Sequence, residues 1–202
     1  YLTAGSGFAM PNAGPGGPMA DSIYGVTTED EARADVRALA AHKPDMVKIW
    51  VDDRDGTVEK LKPALYRAII DEAHRHGFKV MAHMVALDDA KDLLRSGVDG
   101  FAHMVRDADV DDEFMALLRA RPKVFFMNTL WGERRAIYDA PPAFLDEPML
   151  RAAFTADDLE ELAAQLTPKD AGSARATQAR VMAEINFRNT RKLHAAGVII
   201  GL

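Results

Sequence analysis

Five short, nearly continuous apolar strings recur along the chain: MVKIWV (46–51), FKVMAHMV (78–85), VDGFAHMV (98–105), KVFFMNTL (123–130) and VIIGL (198–202). They are rich in β-branched and aromatic residues and show no regular polar face. Such strings read as strands buried on both sides, the habit of parallel sheets covered by helices. Helical patterns fill the gaps. TEDE (28–31) fits a capping box and opens a helix with Ala32, Val36, Leu39 and Ala40 inward, stopped by Pro44. A second helix starts near Pro63, carries Leu65, Ile69 and Ala73, and ends at Gly77. Asp88 starts a short one with Ala90, Leu93 and Leu94, closed by Gly97. Asp109 or Asp111 opens the next, with Phe114, Leu117 and Leu118 inward, ending before Pro122. A long helix over 174–196, with Val181, Ile185 and Leu193, precedes Gly197 and the last string.

Helix and strand alternate every 20–35 residues, which predicts an α/β fold with a parallel sheet. No GxGxxG follows a strand, so a dinucleotide-binding sheet lacks its main mark. The other large option is a (β/α)8 TIM-type barrel, typically about 250 residues long. With 202 residues, the chain reads as one incomplete barrel domain over 1–202, holding about strands 3 to 8 with the first strands missing. It opens on YLTAGSGF without Met and closes on a strand cut short, so both ends are expected to lie inside a longer protein. Residues 1–26 are rich in glycine and proline. They are expected to be a loop without regular structure, apart from YLTAG as the tail of a strand. Residues 131–172 break the rhythm with PPAFLDEP and a polar helix around 156–166, and no clear strand. They are expected to be an insertion over the active-site face.

Composition removes some function classes. The formal net charge is -6 and the longest basic cluster is RARPK (119–123). Nucleic acid is therefore not an expected partner, since phosphate binding needs a positive face. No apolar run approaches the ~18 residues of a membrane span. There is no cysteine, which excludes disulfides and thiolate metal sites and leaves the compartment open.

Polar residues inside the strands carry the chemistry. His83 and His103 each sit near the end of an apolar string, within AHMV repeated twenty residues apart. That spacing is one strand, one helix and one turn, which places the two on adjacent strands about 4.8 Å apart. Two imidazoles so placed can converge on one ion with Zn–N distances of about 2.0–2.1 Å. Lys48 lies one unit earlier, in the middle of MVKIWV. A lysine there is costly unless its charge is removed or paired, and desolvation makes its amine nucleophilic. Taken singly, each histidine reads as a hydrogen-bonded core residue, and Lys48 as a lysine snorkelling at a strand edge. Their joint placement favours a metal site at the C-terminal ends of the strands, where barrel enzymes keep their functional groups. His42, His74, His76 and His194 fall at helix C-termini, where cations suit the helix dipole. Met81, Met84 and Met104 read as packing.

DMVKIWV, EAHRHGFKVMAHMV, SGVDGFAHMV and KLHAAGVIIGL resemble, in order and spacing, the imidazolonepropionase-like and prolidase-like branch of the amidohydrolase superfamily. The resemblance covers about residues 40–202 well and the start more weakly. It implies that Lys48 is the fourth-strand lysine, carbamylated and bridging two divalent metals, zinc in the intact protein. It also implies that His83 and His103 are the fifth- and sixth-strand ligands of the second metal. The first-strand HxH pair and the eighth-strand aspartate of that branch are not in this chain, and Ala102 stands where relatives commonly have glutamate before the sixth-strand histidine.

The implied activity is hydrolysis of an amide-type C–N bond in a dipeptide, N-acyl amino acid or cyclic amide by a metal-activated water. Two metals about 3.5–4 Å apart would serve that chemistry. The expected partner is a small molecule or dipeptide, with a homo-oligomer left open. Trp131 is a candidate wall of the substrate pocket and Arg106 a candidate carboxylate clamp. Two other readings stay open: a Schiff-base lyase or aldolase barrel using Lys48, and a non-catalytic truncated barrel fragment.

Overall fold

A computed structural model of the chain describes residues 3–15, 22–129, 138, 140–167 and 172–201. They divide into two compact units, one of residues 1–128 and 189–202, the other of residues 129–188.

The first unit is built on seven parallel strands. They are β1 (Gly7–Ala9), β2 (Ile23–Gly25), β3 (Met46–Val51), β4 (Lys79–Met84), β5 (Gly100–Ala102), β6 (Phe125–Met127) and β7 (Ile199–Gly201), in the order β2-β1-β3-β4-β5-β6-β7. The expectation of a parallel α/β sheet is met. The expected loop over 1–26 is corrected, because β1 and β2 both lie within it. Phe8 is fully buried and stacks on Tyr24 with ring centroids 5.0 Å apart. A buried Phe8 stacked on a partly buried Tyr24 anchors a segment whose glycine and proline content hides the signal. Gly7 is needed there for a steric reason: a Cβ would stand 2.2 Å from the indole of Trp50 on β3. A glycine that reads as a loop former is instead the gap into which a neighbouring side chain packs.

Four helices complete this layer: α1 (Glu29–Ala40), α2 (Pro63–Arg75), α3 (Leu87–Ser96) and α4 (Asp112–Ala120). Thr28 caps α1 by accepting from the Glu31 amide at 3.2 Å. The Glu31 carboxylate reaches back one residue further than a capping box requires, to the amide and hydroxyl of Thr27. Pro63 occupies the first turn of α2, where its missing N–H is not needed. Gly97 ends α3 in the left-handed conformation at φ +99. Asp111, rather than Asp109, caps α4.

The two faces of the sheet differ. In β3 and β4 every second residue is fully buried: Val47, Ile49 and Val51, then Val80, Ala82 and Met84. These side chains form one core with Val36, Leu39, Ile69, Ile70, Leu93, Leu94, Phe114 and Leu118 of the helices. Phe101 and Phe126 stack within it at 5.0 Å. Each buried Val, Ile, Leu, Met or Phe among them contributes about 1.5–3 kcal/mol by leaving water. Lys48 and Trp50 of β3 and Met81 and His83 of β4 occupy the alternate, partly exposed face. The strings read as buried on both sides are therefore sealed on one side only in the described chain.

The second unit holds a 3-10 turn (Ala143–Asp146) and the helices α5 (Pro148–Ala153) and α6 (Ala156–Leu166). Thr155 and Asp158 form a complete capping box on α6. Helix α7 covers Ala174–Ala195, and its residues from Asn189 onward belong to the first unit. Of the three apolar positions expected to face inward on α7, Leu193 and Ile185 are buried but Val181 is 45% exposed. No described helix is long and apolar enough to cross a membrane.

Candidate functional site

The register places the expected residues. Lys48 pairs across the sheet with Met81, Trp50 with His83, and His83 with Ala102. The three groups thus lie on consecutive strands β3, β4 and β5, though at different heights. His83 stands two residues beyond the Lys48 level, and His103 one residue past the end of β5. The twenty-residue repeat is not a register match, since Ala102 is the residue opposite His83.

Strict alternation from the buried Phe101 would send the next-but-one side chain, that of His103, to the helix side. The backbone prevents this. His103 has φ +88, one of five non-glycine residues with positive φ among the described residues. Its amide still donates to the Met127 carbonyl at 2.8 Å, so the turn is anchored to β6. The imidazole consequently meets that of His83 edge to face, ring centroids 4.8 Å apart at 81°. A non-glycine residue in this region stores roughly 1 kcal/mol or more, and here the strain brings two imidazoles to one face.

Lys48 is the second unusual group. Its Nζ is buried and makes no hydrogen bond to any described residue. Its near neighbour is the Trp50 ring, whose centroid is 5.4 Å away. Burial away from water pulls the ammonium from its ordinary 10.5 down to about 7, so a large fraction of the amine is neutral near neutral pH.

Asp52 is a residue that the sequence reading missed. It continues the alternation of Lys48 and Trp50 on β3, just past the strand end, and its Oδ2 lies 2.9 Å from His83 Nε2. The carboxylate also accepts from the Arg54 amide at 2.9 Å. The His83 hydrogen bond is the main cause holding Asp52 down at about 2, with the Arg106 charge a smaller one. Burial is the main cause holding His103 at about 3, with His83, Arg106 and Lys48 adding to it and Asp52 opposing. Lys48, Asp52, His83, His103 and Arg106 therefore share one electrostatic neighbourhood. Trp131 lies outside the described residues.

The loop that follows His103 is fixed from a distance. The buried Asn189 donates to the carbonyls of Val105 and Ala108 and accepts from the Val110 amide, each at 2.9 Å. Lys192 donates to the Val110 carbonyl at 2.7 Å. Asp107 in turn accepts from the Leu87 amide at the start of α3. Arg106 rides on a loop pinned at both ends, and its own amide donates to the Val85 carbonyl at 3.1 Å.

Among the described residues, no three His, Cys, Asp or Glu side chains gather as a metal site on their own. The set available is two histidines and a lysine. An unmodified lysine is a poor ligand, but a buried, partly neutral amine without a hydrogen-bond partner is the state that can take up a group able to bind metal. The donor set fits a divalent ion on that condition.

No family model matches the chain, and no curated protein matches it. Solved structures do. A Xaa-Pro dipeptidase with methionine bound in its active site matches with a TM-score of 0.62 at 19% identity, over 98% of this chain and 46% of that one. A prolidase complexed with N-methylphosphonate-L-proline gives 0.61 at 16%, over 98% and 46%. Ochratoxinase from A. niger gives 0.64 at 14%, over 98% and 44%. The chain thus spans less than half the length of these proteins. Prolidase, dipeptidase and amidohydrolase structures are the neighbours that the strand motifs led us to expect. What the likeness establishes is the fold: seven parallel strands and their helices, forming part of a (β/α)8 barrel.

Proposed function

We propose that the protein to which this chain belongs is a metal-dependent hydrolase of amide-type C–N bonds, in which Lys48, His83 and His103 hold the metal. The observation that carries this reading is the pairing of a buried Lys48 amine, without a hydrogen bond to any described residue, with two imidazoles 4.8 Å apart on the next two strands. In this reading Lys48 is carbamylated. A neutral amine that adds to carbon dioxide and releases one proton to solvent becomes an anionic carbamate, whose oxygens could bind a divalent metal. The metal would supply an activated water and polarise the scissile carbonyl. His83 and His103 would each give one ring nitrogen. The Trp50 ring lies beside the lysine, its centroid 5.4 Å from Nζ. Arg106 lends positive charge beside the site and suits the carboxylate of a dipeptide or N-acyl amino acid. The first-strand HxH pair and the eighth-strand aspartate that the resemblance calls for are not in these 202 residues; the HRH of EAHRHG (74–76) lies at the end of α2.

The test is hydrolysis by the full-length protein of dipeptides, N-acyl amino acids and cyclic amides, before and after chelation. The expected result is activity lost to the chelator and restored by zinc. Activity indifferent to chelation, or covalent trapping of Lys48 by borohydride with a carbonyl compound, overturns the reading.

A further inference from the structure

We infer that Asp52 is a positioning residue, holding His83 with a proton on Nε2 so that Nδ1 is the ring's lone-pair nitrogen for a metal. The inference rests on the metal-site reading above and goes one step beyond it. Three observations support it. First, an ionised carboxylate has acceptors only, so the 2.9 Å contact between Asp52 Oδ2 and His83 Nε2 requires the proton on that nitrogen. In a neutral ring the other nitrogen is then the acceptor. Second, the pair is sheltered, with the His83 side chain 15% and the Asp52 side chain 22% exposed. Third, Asp52 is itself held in place: its Oδ1 accepts from the Arg54 amide at 2.9 Å, within a turn where Arg54 and Asp55 have φ +49 and +58. The carboxylate is therefore placed by the backbone of the β3 exit, and the imidazole is oriented against it.

Carboxylate–histidine pairs of this kind fix ring orientation and raise ligand basicity, and losing the outer partner typically costs 10–100-fold in metal affinity. The placement explains a feature of IWVDD that neither packing nor solvation requires. Asp52 continues the alternation of Lys48 and Trp50 past the end of β3, and its carboxylate meets the His83 imidazole at 2.9 Å.

Two readouts on the full-length protein test this. The first is the histidine ring nitrogen spectrum of zinc-free protein labelled with nitrogen-15, with His83 assigned by its absence in His83→Ala. The expected result is an Nε2–H tautomer in the wild type and a mixture of tautomers in Asp52→Ala. The second is zinc affinity by competition with a chromophoric chelator. It is expected to fall 10–100-fold in Asp52→Ala, with a smaller fall in Asp52→Asn, whose amide oxygen can still accept. An Nδ1–H tautomer in the wild type overturns the inference. So does zinc affinity within twofold of wild type in Asp52→Ala when His83→Ala abolishes binding. Zinc affinity that ignores both substitutions overturns the metal site itself, and the inference with it.

Discussion

Replacing Lys48 with methionine should make the metal-free protein more stable, because the lysine is held where its charge is poorly solvated. The native ammonium sits at about 7, against 10.5 for the ordinary side chain. At about 1.36 kcal/mol per tenfold change, that gap corresponds to roughly 5 kcal/mol. Relaxation around a buried charge absorbs part of it, so the expected gain is about 2–5 kcal/mol near neutral pH. The sign follows from proton binding. Between about pH 7 and 10.5 the unfolded chain keeps the lysine proton and the native state has released it, so wild-type stability rises with pH across that window. Lys48→Met lacks this slope. The gap between the two should be widest at and below pH 7 and close as pH approaches 10.5. Urea unfolding in chelator and bicarbonate-free buffer, at pH 7 and at higher pH, measures it. A Lys48→Met protein less stable than wild type, or a gap that does not change with pH, refutes the reasoning.

Removing the indole in Trp50→Ala lets water reach Nζ, so the amine should titrate well above 7, towards 10.5; competitive acylation of Lys48 against pH measures this, and an unchanged midpoint contradicts it. At His103, where φ is +88, glycine should be more stable than alanine by about 1 kcal/mol in zinc-free protein, the reverse of the usual order. Equal unfolding midpoints for His103→Gly and His103→Ala would mean that the turn carries no strain. Asn189→Ala removes partners from two carbonyls and one amide of the 105–110 loop. It should cost about 2–4 kcal/mol and speed amide exchange at Val110; unchanged exchange there contradicts the pinning role.

The periodic parts of the chain were legible because their physics is local. The caps of α1 and α4, the Pro63 start of α2 and the Gly97 stop follow from residue chemistry within one turn, and the structure has them at the expected places. The strands around Gly7 and Ile23 were not legible. Their pairing depends on a distant partner, with Trp50 lying over Gly7, and no local pattern records that. His83 and Lys48 could be placed on one face by alternation, and the same count of two from Trp50 would have reached Asp52. The position of His103 could not be derived in this way, since a positive φ breaks the alternation and histidine does not advertise it. Asn189 was equally hidden, because its partners lie some eighty residues earlier.

The central claim is that one metal site draws on three consecutive strands. Zinc content per chain of the full-length protein, purified with zinc and bicarbonate, tests it most directly when measured beside Lys48→Ala, His83→Ala and His103→Ala. The account predicts stoichiometric zinc in the wild type and loss of zinc in each variant that still folds. Stoichiometric zinc in Lys48→Ala, or wild-type protein that holds none, would contradict it.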